Sequence, residues 1–241
     1  MSEKIVANQL EYDERKMFTR LIAQFEVLDM QQSIKAAYYA RDKHAGAVRK
    51  STGQPYIVHP LFMASLAMAL DMRNDNLISV ILLHDVVEDT NVEIEDLPFD
   101  ETIRKGVSKM TFQIFPGETK DIAKTRYFCG LIESKEAVIC KALDRFVNLS
   151  SMAGQFSDDK IRKNVIETDQ LLMPVLRTAK DKWPELGTKL WLLRVMIRSV
   201  NETLAGAYDI PLLGERLYGG ASHYSSKMEE KSGLKPDVDL V

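Results

Sequence analysis

The sequence predicts an all-α chain, and three observations predict it. Apolar residues return at three- and four-residue steps along most of the length. Turn residues gather in a few short clusters between those stretches. The one continuous apolar run, Leu77-Ile78-Ser79-Val80-Ile81-Leu82-Leu83, has the length of a strand, but no alternating segment elsewhere pairs with it.

From Glu11 to Val27, the residues Met17, Phe18, Leu21, Ile22 and Phe25 fall on one helical face. Met30 to Ala45 repeats the rhythm with Ile34, Ala37, Tyr38 and Arg41. Ser51-Thr52-Gly53-Gln54-Pro55 is turn chemistry. Pro60 suits the first turn of a new helix, where its missing N–H leaves nothing unpaired, and that helix runs on through Leu61, Met63, Ala64, Leu66 and Leu70. Asn74-Asp75-Asn76 offers N-caps for a helix from Leu77 to Glu88. That helix is apolar on nearly every side, so it is expected to be central and buried. Further helices are expected over Glu101–Met110, Lys120–Ile132, Lys135–Met152, Asp158–Ala179 and Leu186–Ala205, with loops at Phe115-Pro116-Gly117 and Gly154-Gln155. The expected organisation is an N-terminal helix packing on the core (1–30), a main helical domain (31–180), a helical extension (181–213) and a loosely ordered tail (214–241).

The composition is globular, with 45% hydrophobic and 28% charged residues, enough to bury a core. A net charge of −3 gives no global basic field, so neither nucleic acid nor an anionic membrane is an expected partner. Cys129 and Cys140 cannot make a disulfide framework and show no CxxC spacing. Met1-Ser2-Glu3-Lys4 opens without a secretory pattern, and no stretch approaches the roughly 18 uninterrupted apolar residues of a membrane span. A cytoplasmic protein is expected. The oligomeric state stays open, although helices 158–205 leave room for a homo-oligomer.

The chemistry concentrates where histidine does. Of the four histidines His44, His59, His84 and His223, three lie in the first third of the chain or just beyond it. His84-Asp85 ends the most apolar helix, and Glu88 and Asp89 follow one turn later. On a helix His84 shares a face with Glu88, and Asp85 with Asp89. So many acidic and imidazole groups beside an apolar core repel or lose solvation unless a cation sits among them. Together with His59 and Asp144 they would suit Mn²⁺, Fe²⁺ or Zn²⁺, leaving positions for water and phosphate oxygens. Such an ion acidifies water and neutralises phosphoryl charge. The alternative is a set of hydrogen-bonded core histidines, and spacing alone leaves both open. The absence of cysteine ligands argues against a closed structural zinc site.

Three strings occur in order: Tyr56-Ile57-Val58-His59-Pro60, then Leu82-Leu83-His84-Asp85-Val86-Val87-Glu88-Asp89-Thr90, then Lys141-Ala142-Leu143-Asp144-Arg145-Phe146-Val147-Asn148. From about Ile34 to Met152, and more faintly to Lys180, the chain resembles the hydrolase domain of the RelA/SpoT-type alarmone enzymes and the small alarmone hydrolases. Both belong to the HD-domain superfamily of metal-dependent phosphohydrolases. The resemblance implies an HD-domain helical bundle with additional C-terminal helices. It also implies His59, His84, Asp85 and Asp144 as metal ligands, with Mn²⁺ the usual ion. Glu88 and Asp89 fall on the acidic pair that positions or activates water and assists the leaving group. Asn148 falls on the contact to the nucleotide sugar, and Arg49 and Lys50 on a basic loop bordering guanine. Lys109, Lys120, Lys124 and Arg126 lie where the family meets substrate phosphates, Lys109 and Lys124 being the chosen candidates. Lys141 and Arg145 either border the site or form structural salt bridges. His44 matches a position outside the ligand set and is read as structural, and His223 as incidental.

Departures from the family pattern concern the base pocket. Ala47 stands where the family has Gln, Val147 where His or Tyr commonly precedes the Asn, and Ala142-Leu143 inverts the usual order. The basic loop is one residue longer, so Arg49 and Lys50 compete for one role. The resemblance implies a stand-alone hydrolase removing the 3′-pyrophosphate from (p)ppGpp, with a small nucleotide as its partner. Two other readings are an HD phosphohydrolase for NADPH 2′-phosphate, pppApp or a nucleoside phosphate, and a non-catalytic alarmone-binding module.

Overall fold

The structure is a computed structural model that describes residues 13–49 and 53–213, and it is all-α. The expectations for Met1–Lys4, Lys50, His223 and the tail from 214 lie outside the described residues. Helix α1 spans Glu14–Val27, where Asp13 Oδ1 accepts the Lys16 N–H at 2.9 Å as a side-chain N-cap. It turns Phe18, Leu21 and Phe25 inward against α2 (Gln31–Lys43) and α3 (Val58–Ala69).

Helix α2 has no cap of its own, since Met30 precedes it. Asp75, the first residue of α4 (Asp75–Leu83), crosses over to supply one. Its carboxylate accepts the backbone N–H groups of Gln32 at 3.0 Å and Ser33 at 2.7 Å. A negative charge at a helix N-terminus is doubly favourable there. Asn74 meanwhile caps α4 itself, accepting from Leu77 N–H at 3.0 Å.

Every residue of α4 from Leu77 to Leu83 is buried. It packs against α2, α3, α6 (Glu101–Met110) and α8 (Lys135–Ser150), so it is the axis of the bundle. Helix α8 touches α3, α4 and α6 on one side and α10 (Met173–Lys182) and α11 (Gly187–Ala207) on the other. The two most enclosed helices therefore carry His84-Asp85 at the end of one and Asp144 in the middle of the other. Between them in sequence lie the short α5 (Val86–Asp89) and α7 (Lys120–Gly130), and α9 (Asp158–Glu167) follows α8.

Two expected helices are divided. The segment expected as one helix from Leu77 to Glu88 stops at Leu83 and resumes at Val86. Between the two pieces lie His84 and Asp85, whose side chains leave the helix axis in different directions, as successive residues on a helix do. The segment expected from Asp158 to Ala179 contains a π turn at Thr168–Leu172, closed by Met173 N–H on the Thr168 carbonyl. Pro174 follows at once; it has no N–H for the regular ladder, and the wider turn accommodates the fault. Short 3₁₀ turns at Ile94–Asp96, Leu131–Glu133 and Pro184–Leu186 complete the connections.

Candidate functional site

Asp85 keeps a near-helical backbone, φ −98° and ψ −4°, and its carbonyl still accepts the Asp89 N–H at 2.9 Å. Asp85 Oδ2 lies 2.9 Å from His84 Nε2. On the other edge of that ring, His84 Nδ1 lies 2.8 Å from the Ile81 carbonyl oxygen. A carbonyl only accepts, so Nδ1 carries the hydrogen and Nε2 is the site open to a cation. Nε2 is buried and makes no aligned hydrogen bond. Burial opposes charging of His84, but the Asp85 carboxylate outweighs it and pushes the imidazole up to about 9. In the metal-free protein a proton and a metal ion thus compete for Nε2.

His59 enters from the first turn of α3, with Pro60 beside it in the same turn. Its Nε2 lies 3.3 Å from Asp144 Oδ1 and 4.0 Å from Asp85 Oδ2. Burial lowers the His59 pKa against the pull of Asp144, which favours the neutral, ligating form. Asp144 is buried on α8, where burial alone would raise its pKa. Lys141 Nζ at 3.1 Å from Oδ2 and the two histidines prevail and hold it well below the usual carboxylate range. Asn148, one turn on, donates to Asp144 Oδ1 at 2.5 Å.

Ligand atoms of His59, His84 and Asp144 all lie within 4.8 Å of one another. A divalent ion with bonds of about 2.1 Å separates its ligand atoms by about 3–4 Å, so slight closure forms a site. Two imidazoles with a carboxylate suit Mn²⁺, Fe²⁺ or Zn²⁺. The buried Nε2 of His84 faces the Asp85 carboxylate without an aligned hydrogen bond, which fits such an ion better than it fits a finished hydrogen-bonded core. Of the four expected ligands, Asp85 stands beside this triad, and its Oδ2 accepts the Tyr56 hydroxyl at 2.6 Å.

The remaining candidates divide. Glu88 and Asp89 lie exposed at the rim. Glu88 accepts the Phe112 N–H. The residue as a whole is exposed, but desolvation of its carboxyl end and then the charge of Asp85 push its pKa upward against that hydrogen bond. Arg49 Nη2 donates to Asn148 Oδ1 at 3.1 Å, so both join the cluster's edge. Lys109 pairs with Glu133 at 2.7 Å and Lys124 with Glu167, carboxylates outside the triad. Arg126 is engaged by Glu118 at 2.7 Å, and Arg145 reaches Asn164 and Glu167 on the far side of α8. Among the described candidate lysines, Lys141 is the one that pairs with a member of the triad. His44 is buried, and its ring lies 4.7 Å from that of Tyr56 at a 32° tilt. The reading of the sequence had missed Tyr56 as a site residue. Its signal in the sequence is its place in the string Tyr56-Ile57-Val58-His59-Pro60.

Comparison with known proteins extends the picture. A protein from Aquifex aeolicus named guanosine-3′,5′-bis(diphosphate) 3′-pyrophosphohydrolase is 30% identical over 150 residues, 60% of this chain and 21% of its own length. The bifunctional (p)ppGpp synthase/hydrolase SpoT of Escherichia coli is 29% identical over 181 residues, 70% of this chain and 25% of its own. A Haemophilus influenzae protein of the same name as the Aquifex one is 33% identical over 145 residues, 56% of this chain and 21% of its own. The chain therefore spans only a fifth to a quarter of the length of these relatives. The sequence model of the HD domain matches residues 36–175, which include the triad, Asp85 and the rim carboxylates. That match covers more than half of the sequence, and the chain belongs to the HD domain family.

Proposed function

We propose that the protein is a divalent-metal-dependent hydrolase that removes the 3′-pyrophosphate from (p)ppGpp, yielding GDP or GTP and pyrophosphate. The observation that carries this reading is the convergence of buried His59, His84 and Asp144 with an open imidazole nitrogen, beside a rim of carboxylates. The names of the relatives supply the substrate class. His59, His84, Asp85 and Asp144 hold the ion, which we take to be Mn²⁺. When bound, it supplies Lewis-acid charge for phosphate oxygens and acidifies water.

Glu88 takes a proton from the attacking water on a carboxylate oxygen, and Asp89 assists the leaving group. Desolvation of its carboxyl end raises the Glu88 pKa, which favours that exchange nearer neutrality. Lys141 offsets negative charge beside Asp144, a more direct position than those of Lys109 or Lys124. Asn148 contacts the sugar, while Arg49 and Lys50 border the base. Residues 31–180 form the hydrolase unit, 1–30 and 181–213 support it, and the protein works in the cytoplasm. Among the described residues no helix is long and apolar enough to cross a membrane.

The test is pyrophosphate release from ppGpp and pppGpp with Mn²⁺ and with chelator, alongside pppApp and NADPH. Mn²⁺-dependent release from ppGpp, lost in Asp85→Ala, is expected. An untouched ppGpp beside cleavage of another nucleotide overturns the substrate. Equal background rates in wild type and Asp85→Ala overturn the enzyme and leave an alarmone-binding module.

A further inference from the structure

Two carboxylates flank the histidine pair, and one short stretch of chain grips both. From one arm, Tyr56 donates its hydroxyl to Asp85 Oδ2 at 2.6 Å. From the other, Arg49 donates to Asn148 Oδ1 at 3.1 Å, and Asn148 passes the contact to Asp144 Oδ1 at 2.5 Å. The arms are bound to each other through the backbone. Arg49 N–H donates to the Gln54 carbonyl at 2.8 Å, and Tyr56 N–H to the Ala47 carbonyl at 2.9 Å. Val48 and Pro55 face one another in an antiparallel bridge. Gly53, at φ +70°, supplies the left-handed residue that lets its N–H return to the Arg49 carbonyl at 2.8 Å. His44 backs the Tyr56 ring from α2.

This connectivity has a physical consequence. A carboxylate ligates well when it is already oriented, and outer hydrogen bonds supply that orientation. Asp85 and Asp144 come from different helices, α4's end and α8, and the backbone-paired arms join them by side chains from a third region. We propose that Arg49 and Tyr56 are positioning residues, a two-point clamp that sets Asp144 and Asp85 for the ion. The proposal rests on the metal reading above. It gives the segment before α3 a role in metal affinity, in addition to any contact with the base.

The experiment is calorimetric titration of Mn²⁺ into the full-length, chelator-stripped protein, with melting temperature recorded on the same samples. Wild type, Tyr56→Phe, Arg49→Gln and the double variant are compared, with His84→Ala marking the signal of this site. Tyr56→Phe removes only the hydroxyl and keeps the ring against His44. Each single variant is expected to weaken Mn²⁺ binding on the order of tenfold, with little change in metal-free melting temperature. Because cutting either anchor loosens the shared arms, the double variant is expected to lose less than the product of the singles. Unchanged or tighter Mn²⁺ binding in the singles overturns the clamp, as does a lower melting temperature with unchanged affinity. A fully multiplicative loss also overturns it, in favour of two independent contacts. A folded wild type that binds no Mn²⁺ overturns the metal reading itself. Wild-type binding that the variants match overturns the clamp alone.

Discussion

Asn148 stands one helical turn beyond Asp144 on α8 and donates its side-chain amide to Asp144 Oδ1 at 2.5 Å. The same oxygen lies 3.3 Å from His59 Nε2, so Asn148 sets the direction from which Asp144 meets the two histidines. Replacing it with alanine removes that guide, while Lys141 still pairs with Oδ2. Asn148→Ala is expected to lower Mn²⁺-dependent pyrophosphate release by about 10–100-fold with little loss of stability. Steady-state rates across a Mn²⁺ series check this, and an unchanged rate would remove Asn148 from the site.

Metal binding should also register as stability. An ion that binds only the folded chain adds about 2.7 kcal/mol at a concentration one hundred times its dissociation constant. Mn²⁺ is therefore expected to raise the melting temperature, chelator to reverse the rise, and Asp144→Asn to abolish it. Thermal scans with each addition provide the measurement.

Gly106 on α6 faces Val80 on α4 so closely that an added Cβ would lie 2.5 Å from Val80 Cγ2. Alanine improves helix propensity by about 1 kcal/mol, but overpacking of this kind costs about 1–3 kcal/mol. Gly106→Ala is expected to be net destabilising, and Val80→Ala in that background to recover part of the loss. Denaturant midpoints for the two singles and the double would show the coupling.

Glu167 accepts from both Arg145 and Lys124, joining α7, α8 and α9. Burial opposes its ionisation, but Arg145 and then Lys124 outweigh it and lower its pKa from the ordinary 4.5. Its stabilising effect is therefore fully present above that ordinary value and fades as pH falls through the lower folded one. Glu167→Gln leaves buried Arg145 without its charge partner, although Asn164 still holds it, and is expected to cost about 1.5–3 kcal/mol at pH 7. The gap from wild type should close below pH 4.5, as followed by urea unfolding at several pH values. A gap that persisted unchanged into acid would show that the ionised carboxylate was not its source.

Much of the fold was legible because burial periodicity is a local signal. The helix Glu101–Met110 falls where its capped, amphipathic pattern places it. The breaks were less legible. The interruption at His84-Asp85 falls inside an apolar helical pattern, and no propensity marks it. The π turn before Met173 answers to Pro174, which signals a fault but does not say how the chain accommodates it. In the site, the histidines stood out by scarcity, whereas Tyr56 looked like any half-buried aromatic residue until its hydroxyl was seen against Asp85.

By itself, the sequence determined the all-α class and the ordered motifs around His59, His84-Asp85 and Asp144, because helical periodicity and motif spacing are written along the chain. Only the tertiary structure decided that His59, His84 and Asp144 share one centre while Asp85 leans to Tyr56. Only it decided that Lys141 faces that centre while Lys109 and Lys124 are paired elsewhere. The reason is physical: helix faces follow from residues three and four apart, but contacts between α3, α4 and α8 depend on how those helices pack. A lysine is a phosphate candidate anywhere on the surface until packing shows whether its carboxylate partner lies in the site, as Asp144 does for Lys141, or outside it, as Glu133 and Glu167 do for Lys109 and Lys124.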